Sequence, residues 1–567
     1  MTSDAGTGPA IDPERPTRRP SVLESASKSM WQLLVDTATS YRNRPAVVFG
    51  EDVLSYGGLI GRALRCASQL SKLGITHGTK VAILFHSSLD WVVLHYALCR
   101  LGAVAVPVNL GFENRELQHV LRTASPGHII TIDMYRDVDH LARLQAVSRD
   151  LVDGATTIGG LPSVRSVSVL PVSDDGRLES TASSTLRVFG DETTAPLSPH
   201  GAAGAHDVAY VIYTSGSTAF PKPALLSHRA LSAAGTGYAA ALHFMPDDRM
   251  LVMQPTFHVT GPTFLVIAHV AGGAVHLLGQ FDATRALDEI ETRRCTATVT
   301  FPTIITKLMA EPSFAHRDLS SFGKIMLGGT SSYLKRVNEA LGLELIGSIY
   351  GSTESGGLVT APDPDETDID ERVRTNGVPL PGVEVRIIDP ETGRSCASGE
   401  PGEICFRGVV RFDGYLPGTP DVEDAIDEEG FFHSGDYGHL DESGCLLYRG
   451  RYKLMVKTGG ENVSELEVEQ FLEGELELID VAQVVGVPDD LWGEAIVAFV
   501  QLTDGSGGTS TEELRDLCRD RLAAFKIPKL FIEVNAADWP VTSNGRLDRQ
   551  VLRGWAIAKY GSHETGG

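Results

Sequence analysis

The stretch "VAYVIYTSGSTAFPKP" (208–223) places a hydroxyl-rich loop directly after an apolar run that predicts a buried strand. Ser and Thr are common in loops because their hydroxyls satisfy nearby backbone groups, but that explanation leaves the lysine at 222 without a role. Hydroxyl donors, a glycine that permits close approach and a lysine charge together suit the oxygens of a polyphosphate. The loop lacks the GK[ST] ending of a Walker loop, so by itself it predicts either a polyphosphate site or an ordinary surface loop. The candidate nucleotide-binding residues here are Thr214, Ser215, Gly216, Ser217, Thr218 and Lys222.

The segments on either side of this loop predict an α/β fold. "KVAILF" (80–85) is typical of a strand, "LDWVVLHYALCRLG" (89–102) of a helix that ends at glycine, and "AVAVPVN" (103–109) of a second strand. A strand, helix and strand joined by short connectors predict parallel βαβ units. We therefore expect a large N-terminal domain over 28–450, preceded by a disordered tail over 1–27, with an exposed insertion or linker over 172–206.

The last hundred or so residues differ in pattern and predict a small α+β domain over 451–567. "GGENVSELEVEQFLE" (459–473) and "STEELRDLCRDRL" (510–522) are helical patterns, and "VAQVVGV" (481–487) and "AIVAFVQL" (495–502) are strands. A compact unit of this size can hold its own core.

Composition restricts the classes of partner. The chain of 567 residues carries a formal net charge of −24, which favours solubility and argues against non-specific nucleic-acid or anionic-membrane binding. We expect its partners to be small-molecule substrates. No secretory signal is visible near residue 1 and no apolar run is long enough to span a membrane, so a cytoplasmic location is expected. Reduced, structural thiols are expected at the seven scattered cysteines, Cys66, Cys99, Cys295, Cys396, Cys405, Cys445 and Cys518.

Two further stretches carry side chains suited to a nucleotide. "SIYGSTES" (348–355) offers Tyr350 for stacking on a base, Thr353 for a phosphate and Glu354 for Mg²⁺, which prefers oxygen ligands. In "GFFHSGDYGHLDESGCLLYRGRYK" (430–453), Asp436 can accept both hydroxyls of a ribose, and Arg451 can contact ribose or phosphate. Taken singly, a core tyrosine, a turn aspartate and a surface arginine are equally good interpretations.

The order of these motifs, taken together, resembles one family. From about residue 30 to 552, the chain is similar to the adenylate-forming superfamily of acyl-CoA synthetases, adenylation domains and luciferases, and looks closest to the acyl- or aryl-CoA ligases. The likeness includes the opening loop, the two stretches just described, and "LGAVAVPVN" (101–109), "PTFHVTG" (255–261), "GEPGEICFRG" (399–408), "GGENVSELEVE" (459–469) and "GVPDDLWGEA" (486–495).

The resemblance implies a reaction and assigns roles. The opening loop would hold the β- and γ-phosphates of ATP, Glu354 would hold Mg²⁺, and His258 would lie near the acyl site, although a buried structural histidine is an equally good interpretation. Lys453 would be the hinge about which a mobile small domain rotates, and homodimers occur in such families. The implied catalytic residues are Lys222, His258, Thr353, Glu354 and Arg546. The nucleotide site would add Gly328, Gly329 and Thr330, which would line the adenine, together with Tyr350, Gly351, Ser352, Thr353, Asp436 and Arg451.

The chain departs from the family pattern at several positions. Ala219 and Pro223 replace glycines of the phosphate loop, which changes its conformational freedom. Leu454 replaces the aspartate that usually follows the hinge. Arg546 stands where the family has its catalytic lysine, and a planar, forked guanidinium is not equivalent to an ammonium.

Three functions remain open on sequence grounds. The first is an acyl- or aryl-CoA ligase that uses ATP, Mg²⁺ and CoA, with Arg546 replacing the lysine. The second is a diazotase that adenylates nitrite and passes it to an arylamine, as some relatives in specialised metabolism do. The third is a protein that binds a nucleotide or adenylate without turnover, although the Mg²⁺ ligand Glu354 argues against it.

Overall fold

The computed structural model describes residues 19–155, 158–172, 197–198, 203–214, 221–419, 425–451, 455–458, 461–489, 492–503, 509–519, 521–542 and 546–564. Helices of the large domain are α1 (Val22–Ala26), α2 (Met30–Tyr41), α3 (Tyr56–Lys72), α4 (Leu89–Leu101), α5 (Asn114–Ala124), α6 (His140–Val147), α7 (His228–Ala241), α8 (Thr260–His269), α9 (Ala283–Arg293), α10 (Pro302–Met309), α11 (Ser331–Leu341) and α12 (Ile369–Arg374). Those of the small domain are α13 (Glu465–Glu475), α14 (Thr511–Cys518) and α15 (Arg549–Glu564).

Two largely parallel sheets form the centre of the large domain. Sheet A has the order β15-β14-β13-β11-β12-β1-β2, and sheet B has the order β10-β9-β4-β3-β5-β8. In sheet A the strands are β1 (Pro45–Phe49), β2 (Asp52–Ser55), β11 (Arg249–Val252), β12 (Ala274–Leu277), β13 (Ala297–Thr300), β14 (Lys324–Leu327) and β15 (Leu345–Ser348). In sheet B they are β3 (Lys80–Leu84), β4 (Val104–Pro107), β5 (His128–Ile132), β8 (Ser166–Leu170), β9 (Val208–Thr214) and β10 (Lys222–Ser227).

The parallel pairs in both sheets confirm the predicted α/β class. Antiparallel pairing is limited to the sheet edges, where β2 pairs with β1 and β10 pairs with β9. The strand interiors are buried on both faces because helices cover them, which explains why their sequences are continuously apolar. Helix α4 ends at Gly102, whose φ of 66° is left-handed, as the glycine at that position predicted.

Most of the remaining strands pair in an antiparallel manner. Two short pairs join β6 (Met134–Tyr135) to β7 (Val138–Asp139) and β16 (Thr360–Ala361) to β17 (Val378–Pro379), with α12 between the strands of the second pair. Sheet C is a meander of β18 (Val383–Ile388), β19 (Gly402–Gly408), β20 (Phe432–Leu440) and β21 (Leu446–Arg451). Sheet D, in the small domain, contains β22 (Met455–Thr458), β23 (Glu461–Ser464), β24 (Ile479–Asp489), β25 (Gly493–Leu502) and β26 (Leu530–Glu533).

Two predicted boundaries need correction. The tail predicted to end at residue 27 is helical over α1, where Ser21 and Glu24 form a capping box and Val22 and Ala26 are buried against α7. The predicted insertion over 172–206 ends too late, because Ala203 and Ala205 are buried. The rest of both predictions falls largely on residues outside the described part of the chain. Within that part, no helix is long and apolar enough to cross a membrane.

Candidate active site

The candidate site is built at the carboxyl edge of sheet A. The strands β11, β13, β14 and β15 are parallel and adjacent, so the segments that follow them meet at one edge. Those segments carry His258, Phe301, the 328–330 turn and Tyr350, in the order of the strands. Ligands of open α/β sheets bind at this edge. The motifs are far apart in sequence and are brought together by the parallel topology.

Tyr350, Asp436 and Arg451 form a polar cluster in which Tyr350 and Asp436 are buried and Arg451 is exposed. The Tyr350 hydroxyl donates to Asp436 Oδ2 at 2.8 Å, and Arg451 Nε donates to Asp436 Oδ1 at 3.1 Å. Burial raises the pKa of Asp436, and the positive charge of Arg451 opposes that shift. The Tyr350 ring lies 5.6 Å from the Tyr448 ring, centroid to centroid. The predicted ribose acceptor is therefore held in place by the predicted base and ribose contacts.

Glu354 is oriented by a residue that the sequence motifs did not indicate. The Tyr415 hydroxyl donates to Glu354 Oε1 at 2.7 Å, and burial together with the Glu354 charge raises the Tyr415 pKa. On the other side of Tyr415, Lys222 Nζ lies 6.0 Å from the ring centroid. Tyr415 therefore joins the phosphate-loop lysine to the predicted Mg²⁺ ligand. A carboxylate held by one oxygen in this way suits a hard cation such as Mg²⁺.

The stem of the phosphate loop is part of sheet B. Thr214 and Lys222 are paired at the ends of β9 and β10, which places both beside the loop that they flank. The strand β10 also contacts the Tyr415 segment, since Ala224 forms a bridge with Tyr415 and the Leu225 amide donates to the Gly414 carbonyl. Ser215, Gly216, Ser217, Thr218 and Ala219 lie outside the described residues, so their predicted contacts remain predictions.

The turn that carries Thr353 and Glu354 requires a glycine at 351. A Cβ atom at this position would lie 2.2 Å from the Gly357 carbonyl oxygen, which no side chain tolerates. Thr353 and Glu354 then begin a short 3₁₀ helix, Thr353–Ser355, that ends at Gly356 with a φ of 63°. The "YGSTE" pattern thus places its hydroxyl and its carboxylate on one tight turn after β15.

Arg546, from the small domain, lies within the site. Its guanidinium carbon is 4.8 Å from the centroid of the Phe301 ring, and its side chain is close enough to Glu354, Arg451 and Tyr238 to interact electrostatically. Arg546 remains accessible to solvent, but the surrounding protein and the repulsion from Arg451 lower its pKa. An arginine remains charged despite such a shift. The residue at the position of the family's lysine therefore reaches the predicted catalytic centre.

His258 lies next to this arginine and is neutral. Burial, with a contribution from Arg546, lowers its pKa to about 3. Its Nε2 atom is buried and has no hydrogen-bond partner among the described residues, and the same holds for Thr260 Oγ1. Buried polar atoms normally have partners, so these two atoms point to a polar group of a ligand. The alternative of a histidine bonded to a carbonyl finds no support at Nε2.

A small apolar cavity lies beside these atoms. Its lining includes Tyr238, Thr260, Phe264, Ile267 and Val299, with Gly357 at one side. Phe264 and Ile267 belong to α8, which follows directly after "PTFHVTG", so this helix forms one wall. The Tyr238 hydroxyl donates to the Gly357 carbonyl, which leaves its ring facing the cavity lining. The apolar cavity therefore adjoins a polar region that carries the positive charge of Arg546.

Of the remaining predicted residues, some lie in the described part of the chain and some do not. Gly328, Gly329 and Thr330 follow β14 and lie beside the Tyr350 segment, and their contact with adenine remains a prediction. Ser352 lies at the start of the Glu354 turn. The hinge residue Lys453 and its neighbour Leu454 lie outside the described residues. Sequence patterns missed four aromatic residues, since a single aromatic residue in a loop, helix or strand has no motif of its own: Phe301 after β13, Tyr415 in a loop, Tyr238 in α7 and Tyr448 in β21.

Two family descriptions match the chain. That of the AMP-binding enzymes matches residues 34–416, and that of the AMP-binding enzyme C-terminal domain matches residues 467–546. The two matches cover most of the segments that contribute the site, including Arg546 at the last matched position, whereas Asp436 and Arg451 lie between them.

Relatives of known activity match over nearly the whole chain. The human mitochondrial medium-chain acyl-CoA ligase ACSF2 is 28% identical over 93% of this chain and 87% of its own length. The indoleacetate–CoA ligase of Aromatoleum aromaticum is 30% identical over 92% of this chain and 97% of its own. The crystal structure of ATP-bound MatB from Rhodopseudomonas palustris superposes with a TM-score of 0.79 at 27% identity, covering 94% of this chain and all of that one. The chain therefore belongs to the AMP-binding, adenylate-forming enzymes, in the branch of the acyl- and aryl-CoA ligases.

Proposed function

We propose that this protein activates a small or aromatic carboxylic acid as its adenylate and transfers the acyl group to CoA, with Arg546 acting in place of the family's lysine. The observation that carries the proposal is the position of Arg546 between Phe301 and the Glu354, Arg451 and Tyr238 side chains. A cation at that point can bind both the acid carboxylate and the α-phosphate of ATP.

In the first half-reaction, a carboxylate oxygen attacks the α-phosphorus, the bond to the β-phosphate oxygen breaks, and pyrophosphate leaves. Such transfers depend on positioning and charge stabilisation more than on covalent help from the protein. Asp436 and Tyr350 orient the ribose and base, Lys222 and Thr353 contact phosphates, and Arg546 balances the charge at the reacting oxygens. Mg²⁺ held by Glu354 would neutralise the phosphate charge.

In the second half-reaction, the CoA sulfur attacks the acyl carbonyl carbon, the bond to AMP breaks, and the thiol proton leaves to solvent or base. Arg546 is no longer required once pyrophosphate has gone. His258 is neutral, so it can lie beside the incoming acyl group without competing with Arg546 for the anion.

The cavity supports a small or aromatic acid. Tyr238, Phe264, Ile267 and Val299 offer apolar and aromatic surface, and the unpartnered Nε2 of His258 lies near the Arg546 end. An acid with its carboxylate at Arg546 would direct its apolar part towards these side chains, which would have to move apart to admit it, because the cavity is about the size of one water molecule. The two named CoA-ligase relatives act on a medium-chain acyl group and on indoleacetate, which favours this class of substrate.

Nitrite with an arylamine is kept as a second candidate because of Arg546. A forked guanidinium can bind a small oxyanion in a bidentate way, which an ammonium cannot. The relatives described above are CoA ligases, so the thioester reaction is the one proposed here.

The test is ATP–pyrophosphate exchange and AMP release with short-chain, medium-chain and aryl acids, with and without CoA, and with nitrite plus an arylamine. AMP release that requires both an acid and CoA is expected. AMP release only with nitrite would replace the proposal with the diazotase, and nucleotide binding without AMP release under any condition would favour a non-catalytic protein.

Two variants test the proposed roles of Glu354 and Arg546. Glu354→Ala should abolish AMP formation with the fold intact by circular dichroism, because it removes the proposed Mg²⁺ ligand. Arg546→Lys should raise adenylation of a carboxylate if arginine is only a weaker replacement for lysine. Lower activity of Arg546→Lys with every acid would show that the site is built around the guanidinium.

A further inference from the structure

A hydrogen bond between buried groups joins the two domains beside the predicted adenine segment. Glu473, on α13 of the small domain, accepts from the hydroxyl of Thr330, which immediately follows the glycines at 328 and 329. Glu473 is 8% exposed and Thr330 is 6% exposed. A buried carboxylate in contact with another domain is costly unless it is fully bonded, so the surroundings of this pair are informative.

Both groups are well satisfied in this arrangement. The other carboxylate oxygen of Glu473 accepts from the Ala482 amide at 2.9 Å. Thr330 caps α11, its oxygen accepting from the Tyr333 amide at 3.2 Å, and its oxygen lies 3.2 Å from Ser332 Oγ. The α11 N-terminus adds a favourable dipole to the Glu473 charge. Separating the two domains here would leave Glu473 with its bond to its own domain and expose it to water.

The same face of α11 makes a second interdomain contact. Arg336 Nε pairs with Asp480 Oδ1 at 2.8 Å, and another Arg336 nitrogen donates to the Asp480 carbonyl. Gly474, next to Glu473, also lies close to Ser332, where an added Cβ atom would make an ordinary van der Waals contact of 3.8 Å with the hydroxyl oxygen. The contact is therefore a packed interface of two elements and not a single surface bond.

Glu473 is mechanically connected to Arg546 through the small domain. Glu469, one turn before Glu473 on α13, binds Arg549 Nη2 at 2.8 Å, and Arg549 also donates to Glu465 and to the Val484 carbonyl. Arg549 follows Arg546 by three residues. Fixing α13 against the large domain therefore fixes the segment that carries Arg546.

We infer that Glu473 is a positioning residue for adenylate formation: its bond to Thr330 holds the small domain where Arg546 reaches the site, and the bond breaks when that domain rotates for the thioester step. The inference rests on the proposed two-step function. It predicts that Glu473 serves the first half-reaction and is dispensable for the second.

The experiment separates the two half-reactions in the full-length enzyme. ATP–pyrophosphate exchange measures the first, with the acid that the wild type uses best. Single-turnover thioester formation from the chemically prepared adenylate and CoA measures the second. Glu473→Ala is expected to slow the first about tenfold or more, because a buried hydrogen bond to a charged group is lost, and to leave the second unchanged or faster.

Two variants control for a merely structural effect. Glu473→Gln should retain most of the exchange rate, because its amide can donate to Thr330 while its carbonyl accepts from Ala482. Glu475→Ala removes an exposed glutamate of the same helix and should change neither half-reaction. Equal loss of both half-reactions in Glu473→Ala, or no loss in either, would overturn the inference.

A readout without catalysis distinguishes this inference from the proposed function. Amide hydrogen exchange of the α11 N-terminal turn should be faster in Glu473→Ala than in the wild type, since the interdomain cover is loosened. If the wild type forms no adenylate with any acid, the proposed function fails, and unchanged exchange in α11 would then overturn the Glu473 assignment as well.

Discussion

The small domain should lose stability between pH 6 and pH 8 because two buried carboxylates share a single guanidinium. Glu465 and Glu469 both bind Arg549, with nitrogen–oxygen distances of 2.8 Å, and both are less than a tenth exposed. One positive charge cannot compensate two buried negative charges, so one carboxyl holds a proton near neutral pH. Desolvation raises the pKa of Glu465 to about 7, against the opposing effect of Arg549.

The direction in which stability changes with pH follows from the number of protons that the folded and unfolded states bind. A carboxyl whose pKa is higher in the folded than in the unfolded state binds more protons when folded, so stability falls as pH rises through the folded pKa. A native pKa of about 7, compared with the ordinary value of 4.5, means that protonation of Glu465 stabilises the folded state by about 3 kcal/mol at most. This stabilisation is present in full only below pH 4.5. At pH 6 about 1 kcal/mol of this remains, and at pH 8 almost none remains.

Glu465→Gln should therefore remove about 1 kcal/mol from the stability difference between pH 6 and pH 8. The variant also disturbs the contact with Arg549, but that cost does not depend on pH in this range, so the slope is the readout. Native-state hydrogen exchange of β25, the strand at the centre of sheet D, reports the opening free energy of the small domain in the full chain.

Glu475→Gln, on the exposed face of the same helix, is the matched control and should keep the wild-type slope. If Glu465→Gln also keeps that slope, Glu465 is ionised throughout the range and the shared-guanidinium argument is wrong. Glu473, whose pKa burial also raises to about 7, contributes to the wild-type slope but is unchanged in this comparison.

Three further outcomes follow from the site. Tyr415→Phe removes the donor to Glu354 and should raise the KM for MgATP about tenfold, with the melting temperature nearly unchanged. Gly351→Ala forces a Cβ against the Gly357 carbonyl and should cost about 2 kcal/mol of stability and most ATP binding, measured by thermal unfolding with and without ATP. Gly328→Ala, whose Cβ would meet nothing within 4 Å, is its steric control, and an equal loss of stability in both would refute the clash. Val299→Phe narrows the cavity and should lower kcat/KM for aryl acids about tenfold relative to acetate, and an unchanged ratio would place the acyl group elsewhere.

Local sequence determined those parts of the site that a single turn can specify. "YGSTE" places Tyr350, Gly351, Thr353 and Glu354 after one strand, and the chemistry of each side chain is independent of the rest of the chain. The βαβ alternation likewise determined the parallel sheets, because crossover helices bury both faces of their strands. The α1 helix could also have been predicted from the sequence, since Ser21 and Glu24 form its capping box.

Only the tertiary structure decided which distant groups contact these motifs. Tyr415 binds Glu354 across 61 residues, Asp436 accepts from Tyr350 across 86, and Glu473 reaches Thr330 across 143. Periodicity describes neighbours on one helix or strand and carries no information on such pairs. Whether Arg546 enters the site at all depends on how the small domain packs on α11, and that orientation is set by contacts between surfaces that have no pattern in common in the sequence.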